Sequence, residues 1–580
     1  MIADRFNRPG DPAINDAMAN PSTTGLSTSA TWTRIHGGTV LGRGNRDADL
    51  YLCGDRVADP PPPGTAIDHT IDAAGHHVMA GGIDLHTHIG GGKLTIARMM
   101  MQSQMGDRPH HDPILPTGSV AASRYLDIGY TTCFEPAVIP INARSAHMEM
   151  AGCHGLDTGG YCLLGNEPPL LAMIADGIDR RVIAAYVAAM VAATGSIAVK
   201  VVNAGGIDAF KFNRRTLDVN DTHPVYDVTP AQVIRTLARA VADIGLRHPL
   251  HVHCSNLGVP GNIDSTLATI AAADGLPIHL THVQFHSYAK TDAGMSTAAA
   301  RIAAALNDNP NVTIDVGQVV FGQTVTMSAD AMHQFDGVRH GSPPIGVIAD
   351  VASGGGCGVV PFRYRNRRFV GALQFAIGLE LFLMVEDPSR VFLTTDHPNG
   401  GPFTAYPHLM RLLADKTFRD DVLATIHPDA LAACELSGLD RQYTIDELHT
   451  MTRTGPADIL GLHDRGRLRP GDIADVVLIP DDGDMETRFA TPTAVIRRGQ
   501  LIRQNGSPVS PPANHPAPPH QILAADRDRL AKLAVDADHN RVILDYQSKY
   551  GDDTFPHLWI DDDEFNGTMN SQLAIAGEAR

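Results

Sequence analysis

The chain has 580 residues, with 46 basic against 64 acidic side chains and a net charge of −18, which argues against nucleic acid or an anionic membrane as the main partner. Apolar residues make up 43% and charged residues 19%, the balance of a globular protein with ample core. The 7 cysteines are scattered with no C-x-x-C pair, so zinc-ribbon and iron–sulfur spacings are absent, and the odd count argues against a secreted disulfide framework. No stretch has the apolar length of a membrane span or of a leader's apolar core, and the expected location is the cytoplasm.

Residues 1–31, rich in Ser, Thr, Asn, Ala and Pro without periodicity, read as a disordered arm. From Trp32 to Gly81 come short β-type runs separated by Gly and Pro turns. From Val78 onward short apolar strands alternate with helical stretches, the pattern of a parallel α/β fold. Eight strands are expected at 78–88, 129–137, 160–166, 196–203, 248–256, 277–283, 312–319 and 390–398. Helical spacing of Ala, Leu and Val marks 178–193, 229–246, 294–307 and 370–385 between them. Eight strands close a (β/α)8 TIM barrel, placed over 82–454. Short strands return after residue 455, in ADVVLIP and TAVIRRGQLIRQ; 32–81 and 455–506 together are expected to form one small β-sandwich domain from both chain ends. A Pro-rich linker, a helical stretch over 521–545 and an acidic tail, WIDDDEF, fill 507–580.

In GGIDLHTHIGGG, His86 and His88 lie two apart on a strand, so both imidazoles project from one face and can reach one metal. An apolar run precedes the pair and a Gly loop follows it, at the first strand's C-terminal end, where barrel active sites sit. Lys200, in SIAVKVVNAGG, is a lysine inside an apolar strand, which is costly unless it is paired or neutralised. It either snorkels to the barrel rim or is carboxylated by CO2 into an anionic metal bridge; burial favours the neutral amine that reacts with CO2. The fifth and sixth strands end in PLHVHCSN and PIHLTHV. His253 and His282 lie nearer the C-terminal ends and are the chosen ligands. His251 points the same way one layer deeper, and His279, three residues before His282, should face the opposite way. Asp396 closes the eighth strand in TTDHPNGG, before a Gly/Pro turn.

The ordered set, H-x-H on strand one, Lys on four, His on five and six, Asp on eight, resembles the amidohydrolase superfamily of binuclear barrels. The motifs KVVNAGG, HVHCSNLGVPGN, THVQFHSY, TTDHPNGGPFTAYP and GYTTCFEPA resemble, more narrowly, the A subunits of formylmethanofuran dehydrogenase and the alpha subunits of the formyltransferase/hydrolase complex of methylotrophs. The resemblance runs from about residue 32 toward the C-terminus and leaves the N-terminal arm unmatched. It implies His86, His88, carboxylated Lys200, His253, His282 and Asp396 as a site for two divalent metals, zinc by preference. It also implies hydrolysis, reversible, of the N-formyl group of a methanofuran or methylofuran cofactor to formate and free amine, with other subunits of a complex in one-carbon metabolism as partners. Asp396 would carry the proton from water to the leaving amine.

Two rival activities use the same chemistry: a cyclic amidase of the dihydropyrimidinase or hydantoinase type, and an N-acyl amino acid deacylase. A scaffold that kept the barrel and lost its metals is the reading from another class, and the full ligand set speaks against it. GGGCG at 354–358 lacks the GK-[ST] of a phosphate loop and reads as a turn; the Met run RMMMQSQM reads as packing. PFRYRNRRF sets Arg363, Arg365, Arg367 and Arg368 among aromatics. They form either a surface or interface patch or a clamp for a polyglutamate-like tail, since Arg forks suit carboxylates. With no cluster spacing and no G-x-G-x-x-G after a strand, electron transfer is expected to lie outside this chain.

Overall fold

Eight parallel strands carry the fold: β1 (Gly82–Asp84), β2 (Tyr130–Val138), β3 (Asp157–Leu163), β4 (Ala198–Val202), β5 (Leu250–His253), β6 (Ile278–Leu280), β7 (Val312–Asp315) and β8 (Val391–Phe392). They are hydrogen-bonded in chain order, and a parallel bridge between Thr87 and His397 joins the first to the last. The result is the expected (β/α)8 barrel. The computed structural model describes residues 31–550 apart from 45, 106–113, 293, 328–334, 350–356, 511–520 and 535. The expected arm up to residue 30, most of the Pro-rich linker, the acidic tail and the first three residues of GGGCG lie outside the described residues.

Strands of a barrel are covered on both faces, which is why β4 reads Ala-Val-Lys-Val-Val and is buried throughout. Helices pack outside it. Arg180–Ala193 starts at Asp179, whose carboxylate accepts the Arg181 N–H. Pro230–Ile244 has a capping box between Thr229 and Gln232 and ends at Gly245, in the left-handed conformation at φ +67°. The expected stretches 178–193, 229–246 and 370–385 become helices; 294–307 divides into a strand, Gly294–Thr297, and a helix, Ala299–Asp308.

The long first run, 78–88, splits. His76–Ala80 pairs antiparallel with Val476–Pro480 in a six-stranded sheet, and only Gly82–Asp84 enters the barrel. The glycine between them is sterically required, since a Cβ on Gly81 would stand 2.2 Å from Thr131 Oγ1. That sheet continues through Ala494–Arg497 and Gln500–Gln504, so strands from both ends of the chain meet in it. Residues 455–460, where the second β-stretch was expected to begin, are instead helical. The expected helix over 521–545 is also broken: Ile522–Leu523 adds to β3 beside Thr158 and Gly159, and helices Arg527–Ala534 and Ala537–Tyr550 follow.

A buried ion network ties the six-stranded sheet to the barrel. Asp157 of β3 accepts from Arg465 (2.7 Å), Arg497 and Arg498 (3.1 Å), and Arg497 also bonds Asp475 at 2.8 Å. Between β7 and β8 an inserted antiparallel sheet, Gly322–Thr326 with Cys357–Tyr364 and Val347–Ala349, stands at the C-terminal end of the barrel. Met101, from the Met run, packs against it with Leu94, Val325, Met327 and Val359.

Candidate metal centre

The residues chosen from sequence come together at the C-terminal ends of the strands. His86 Nε2 lies 3.0 Å and His88 Nε2 3.4 Å from Asp396 Oδ1, and ligand atoms of all three lie within 4.8 Å of one another. His253 and His282 form a second group, joined by His286, a residue its sequence pattern does not mark. Lys200 is buried on β4, in register with His251. Its charge acts on His253 and His282, and those of Asp396 and Asp315 act on it. Burial brings its pKa down to about 8, so a fraction of the amine is neutral near pH 7 to 8 and open to CO2.

The backbone is bent where these residues converge. His282 sits at φ +37° and Asp396 at φ +49°, the left-handed region that costs a non-glycine residue about 1–3 kcal/mol and occurs at functional sites. This bend overturns one expectation. β6 ends at Leu280, so strand alternation does not reach His282, and His279 does not face away. It lies inside the barrel, with Nε2 3.1 Å from Asp315 Oδ2 and its ring 4.6 Å from that of His251.

The rings of His86 and His88 are held from behind. His88 Nδ1 faces Glu135 Oε1 at 2.7 Å, and Glu135 Oε2 accepts the Ile89 N–H at 2.9 Å. His86 Nδ1 lies 2.9 Å from His251 Nε2 and 3.2 Å from Asp315 Oδ2, and His251 Nδ1 lies 3.0 Å from His248 Nε2. Thus His251 sits one layer below the ligands, where its spacing put it. Asn399 Nδ2 donates to Asp396 Oδ1 at 2.9 Å. The Asp84 carboxylate accepts the His86 N–H and the Tyr125 and Tyr406 hydroxyls.

The electrostatics fit divalent cations. Burial works against a proton on His88, but Glu135 and Asp396 overcome it and raise its pKa to about 9, so this group of ligands attracts positive charge. Despite burial, His86 above all holds Asp396 well below the usual carboxylate range. Burial first, then neighbouring imidazoles and Lys200, keep His253 neutral with a lone pair to give. His253 Nε2 and His282 Nδ1 are buried with no hydrogen-bond partner. A third gathering, His86, His251 and Asp315, differs because its polar atoms bond one another; it supports the ligands.

Of the four arginines, Arg363, Arg365 and Arg368 line a cavity of about 700 Å3 together with Leu257, Phe362 and Gln374; Arg367 is not part of its wall. The cavity is built from the segments that follow β5 and β7, at the metal end of the barrel. The inserted sheet meets the Asp396 loop there, where Met327 N–H donates to Asn399 Oδ1 at 2.6 Å.

This barrel, with imidazoles and carboxylates converging at its mouth, is that of a metal-dependent amidohydrolase, and the chain belongs to the amidohydrolase family, whose sequence pattern matches residues 69–503. It is 42% identical over 492 residues to the FhcA protein of the formyltransferase/hydrolase complex of Methylorubrum extorquens, a match spanning 82% of this chain and 89% of that one. It is 34% identical over 472 residues to protein FwdA of Methanocaldococcus jannaschii, spanning 76% and 82%. The fold superposes with a TM-score of 0.84, at 39% identity, on a chain in the crystal structure of the Methylorubrum extorquens formyltransferase/hydrolase complex with methylofuran, covering 92% of this chain and 97% of that chain. No helix among the described residues is long and apolar enough to cross a membrane.

Proposed function

We propose that this chain hydrolyses, reversibly, the N-formyl group of a methylofuran-type cofactor to formate and the free amine, as the hydrolase component of a formyltransferase/hydrolase complex. The observation that carries this reading is the 42% identity along 89% of FhcA, with the ligand-type side chains gathered at the barrel mouth. The solved relative is a complex of several subunits holding methylofuran, which supports both the partners and the substrate. We take residues 32–81 and 455–506 as the small β-domain and 82–454 as the catalytic barrel.

His86, His88 and Asp396 would hold one divalent ion, His253 and His282 a second, with carboxylated Lys200 between them; zinc suits the imidazole-rich set. Bound there, two divalent ions supply an activated water at neutral pH and Lewis acidity for a carbonyl oxygen. The chain's own groups do the rest. Asp396 Oδ1 faces the same point as His86 Nε2 and His88 Nε2 and accepts the Asn399 amide, so it would be the metal-facing oxygen, which leaves Oδ2 to take the proton from the attacking water and pass it to the departing amine. Asn399 keeps that carboxylate in one place, and Asp315, His251 and Glu135 do the same for the His86 and His88 rings. Arg363, Arg365 and Arg368 would grip an anionic tail on the substrate in the neighbouring cavity.

The test is formate release from a synthetic N-formyl methylofuran by the purified zinc-loaded protein and its native complex, with no electron acceptor present. Release of formate, with no ring opening of dihydrouracil or a hydantoin, is the expected result. Release that depends strictly on an added acceptor, or ring opening without deformylation, would overturn it.

A further inference from the structure

His286 is a buried imidazole that the proposed ligand set does not use. It lies on the 3-10 turn Val283–His286, directly after the left-handed His282. Neither of its ring nitrogens makes a well-formed hydrogen bond, and the one polar group close to the ring is the Ser255 backbone. An imidazole carries one donor and one acceptor, and burying both unmatched forfeits their hydration with no return. Structures keep such a group where something else meets it.

What meets it is indicated by its neighbours. The His286 ring centroid lies 5.2 Å from that of His253 and 5.3 Å from that of His282, and the last two are 4.6 Å apart. Ligand atoms of the three lie within 4.8 Å of one another. The same two neighbours have the partnerless nitrogens His253 Nε2 and His282 Nδ1. Contrast the rings of the first group and of the layer below: His86, His251 and His279 bond one another's nitrogens or Asp315, and His248, which bonds His251, has only its Nδ1 without a partner. Partnerless nitrogens occur singly on other buried histidines, but here three imidazoles bring theirs within ligand distance of one point.

The turn that carries His286 is pinned on several sides. The Phe285 carbonyl accepts the Asn262 side-chain amide at 2.8 Å, the His286 carbonyl accepts the Thr266 hydroxyl at 2.7 Å, and Ser287 Oγ donates to the Val283 carbonyl at 2.8 Å. A rigid backbone under an unbonded ring is the construction of a preorganised ligand.

We propose that His286 is a third imidazole ligand of the second ion, so that this ion is held by His253, His282 and His286 in addition to any carboxylated Lys200. The proposal rests on the two-metal reading above. Three neutral imidazoles around zinc form a complete protein set for a catalytic ion with an open position, so the second site would have its own three ligands and Lys200 would serve as a bridge added to it.

The experiment is uptake of Co2+ by metal-free protein in bicarbonate buffer, followed by equilibrium dialysis and by the visible absorption of bound Co2+. Wild type, His286→Ala, His286→Phe and His282→Ala are compared; the Phe variant fills the ring's space without donors, so a packing defect is separated from a lost ligand. Wild type should take up two ions. Both His286 variants should bind the first ion like wild type and the second at least tenfold more weakly, with a changed spectrum for that ion only. Two ions of unchanged affinity and spectrum in both His286 variants, with the second lost in His282→Ala, would overturn the role of His286 and leave the two-metal reading standing. Wild type that takes up no ion would overturn both.

Discussion

Replacing Glu135 by glutamine isolates what the support behind a ligand contributes. Glu135 Oε1 faces His88 Nδ1 at 2.7 Å and the Ala137 N–H at 3.2 Å; Oε2 accepts the N–H groups of Ile89 at 2.9 Å and Gly90 at 3.2 Å. When His88 ligates through Nε2, all four partners are donors, and only a carboxylate meets donors on both sides. A glutamine has one acceptor oxygen. If it serves Ile89 and Gly90, the amide N–H points at His88 Nδ1 and drives the ring to the tautomer that protonates Nε2, which cannot bind metal. If it serves His88, the amide N–H opposes two backbone N–H groups. Either arrangement leaves a buried donor unmatched, at a cost of about 1–3 kcal/mol. Loss of such a supporting partner lowers metal affinity about 10–100-fold, or roughly 1.4–2.8 kcal/mol, and the two figures agree. Competition between metal-free protein and a chromophoric zinc chelator at neutral pH measures it. Affinity within twofold of wild type, in a variant that melts like wild type, would refute the role given to Glu135.

Lys200→Ala should lower bound metal from two ions per chain, because the bridging oxygens go with the amine; full metal by elemental analysis would show that Lys200 is no bridge. Asp396→Asn should retain most of the metal and lose about 10²-fold or more in turnover, and near-normal turnover would move the proton carrier elsewhere. Charge reversal at Arg363 and Arg365 should raise KM for a substrate with a polyanionic tail and spare a short formyl amide, the pattern of lost uniform binding, whereas reversal at Arg367, outside the cavity wall, should do neither; equal effects at both places would return the cluster to surface duty. Asp157→Asn removes the carboxylate that Arg465 and Arg497 share, leaving them Asp464 and Asp475 alone, and should cost up to about 3–5 kcal/mol in denaturant unfolding at pH 7. Although burial opposes it, Arg497 and its neighbours depress the Asp157 pKa, so the wild-type advantage is full above the unfolded carboxylate value of about 3.9 and shrinks as pH falls through the lower folded value; an advantage that grows toward acid would contradict the sign.

The barrel and the gathering of its candidate ligands were legible because each left a pattern in the chain: the close pair His86 and His88, which meet at one point although the first strand ends at Asp84, apolar runs ending at loops, a lysine in an oily strand. Glu135 and Asp315 had the same signature as Lys200, a charge within a run that reads as strand, in YTTCFEPAV and VTID. The burial cost that singled out Lys200 singles them out too. His286 could not be found that way, because its significance lies in the absence of bonds, which only three-dimensional neighbours reveal. His279 was misplaced because alternation holds only while the strand lasts, and β6 is three residues long.

Asp315 shows how the strained centre holds together. Its Oδ1 accepts the His282 N–H at 2.8 Å and the Thr394 hydroxyl at 2.9 Å; its Oδ2 faces His279 Nε2 at 3.1 Å and His86 Nδ1 at 3.2 Å. One carboxylate on β7 therefore fixes the backbone of the sixth-strand ligand, the ring of the first-strand ligand and the strand that leads to Asp396. The left-handed conformations at His282 and Asp396 lie on either side of it, and Gly317, at φ +64°, lets the chain pass so close that a Cβ there would stand 2.4 Å from that of His282. A strained backbone persists only where its surroundings over-determine it. Here that constraint runs through a residue with no part in the proposed ligand set, so the candidate ligands that follow β1, β6 and β8 form one cooperative unit whose precision depends on β7.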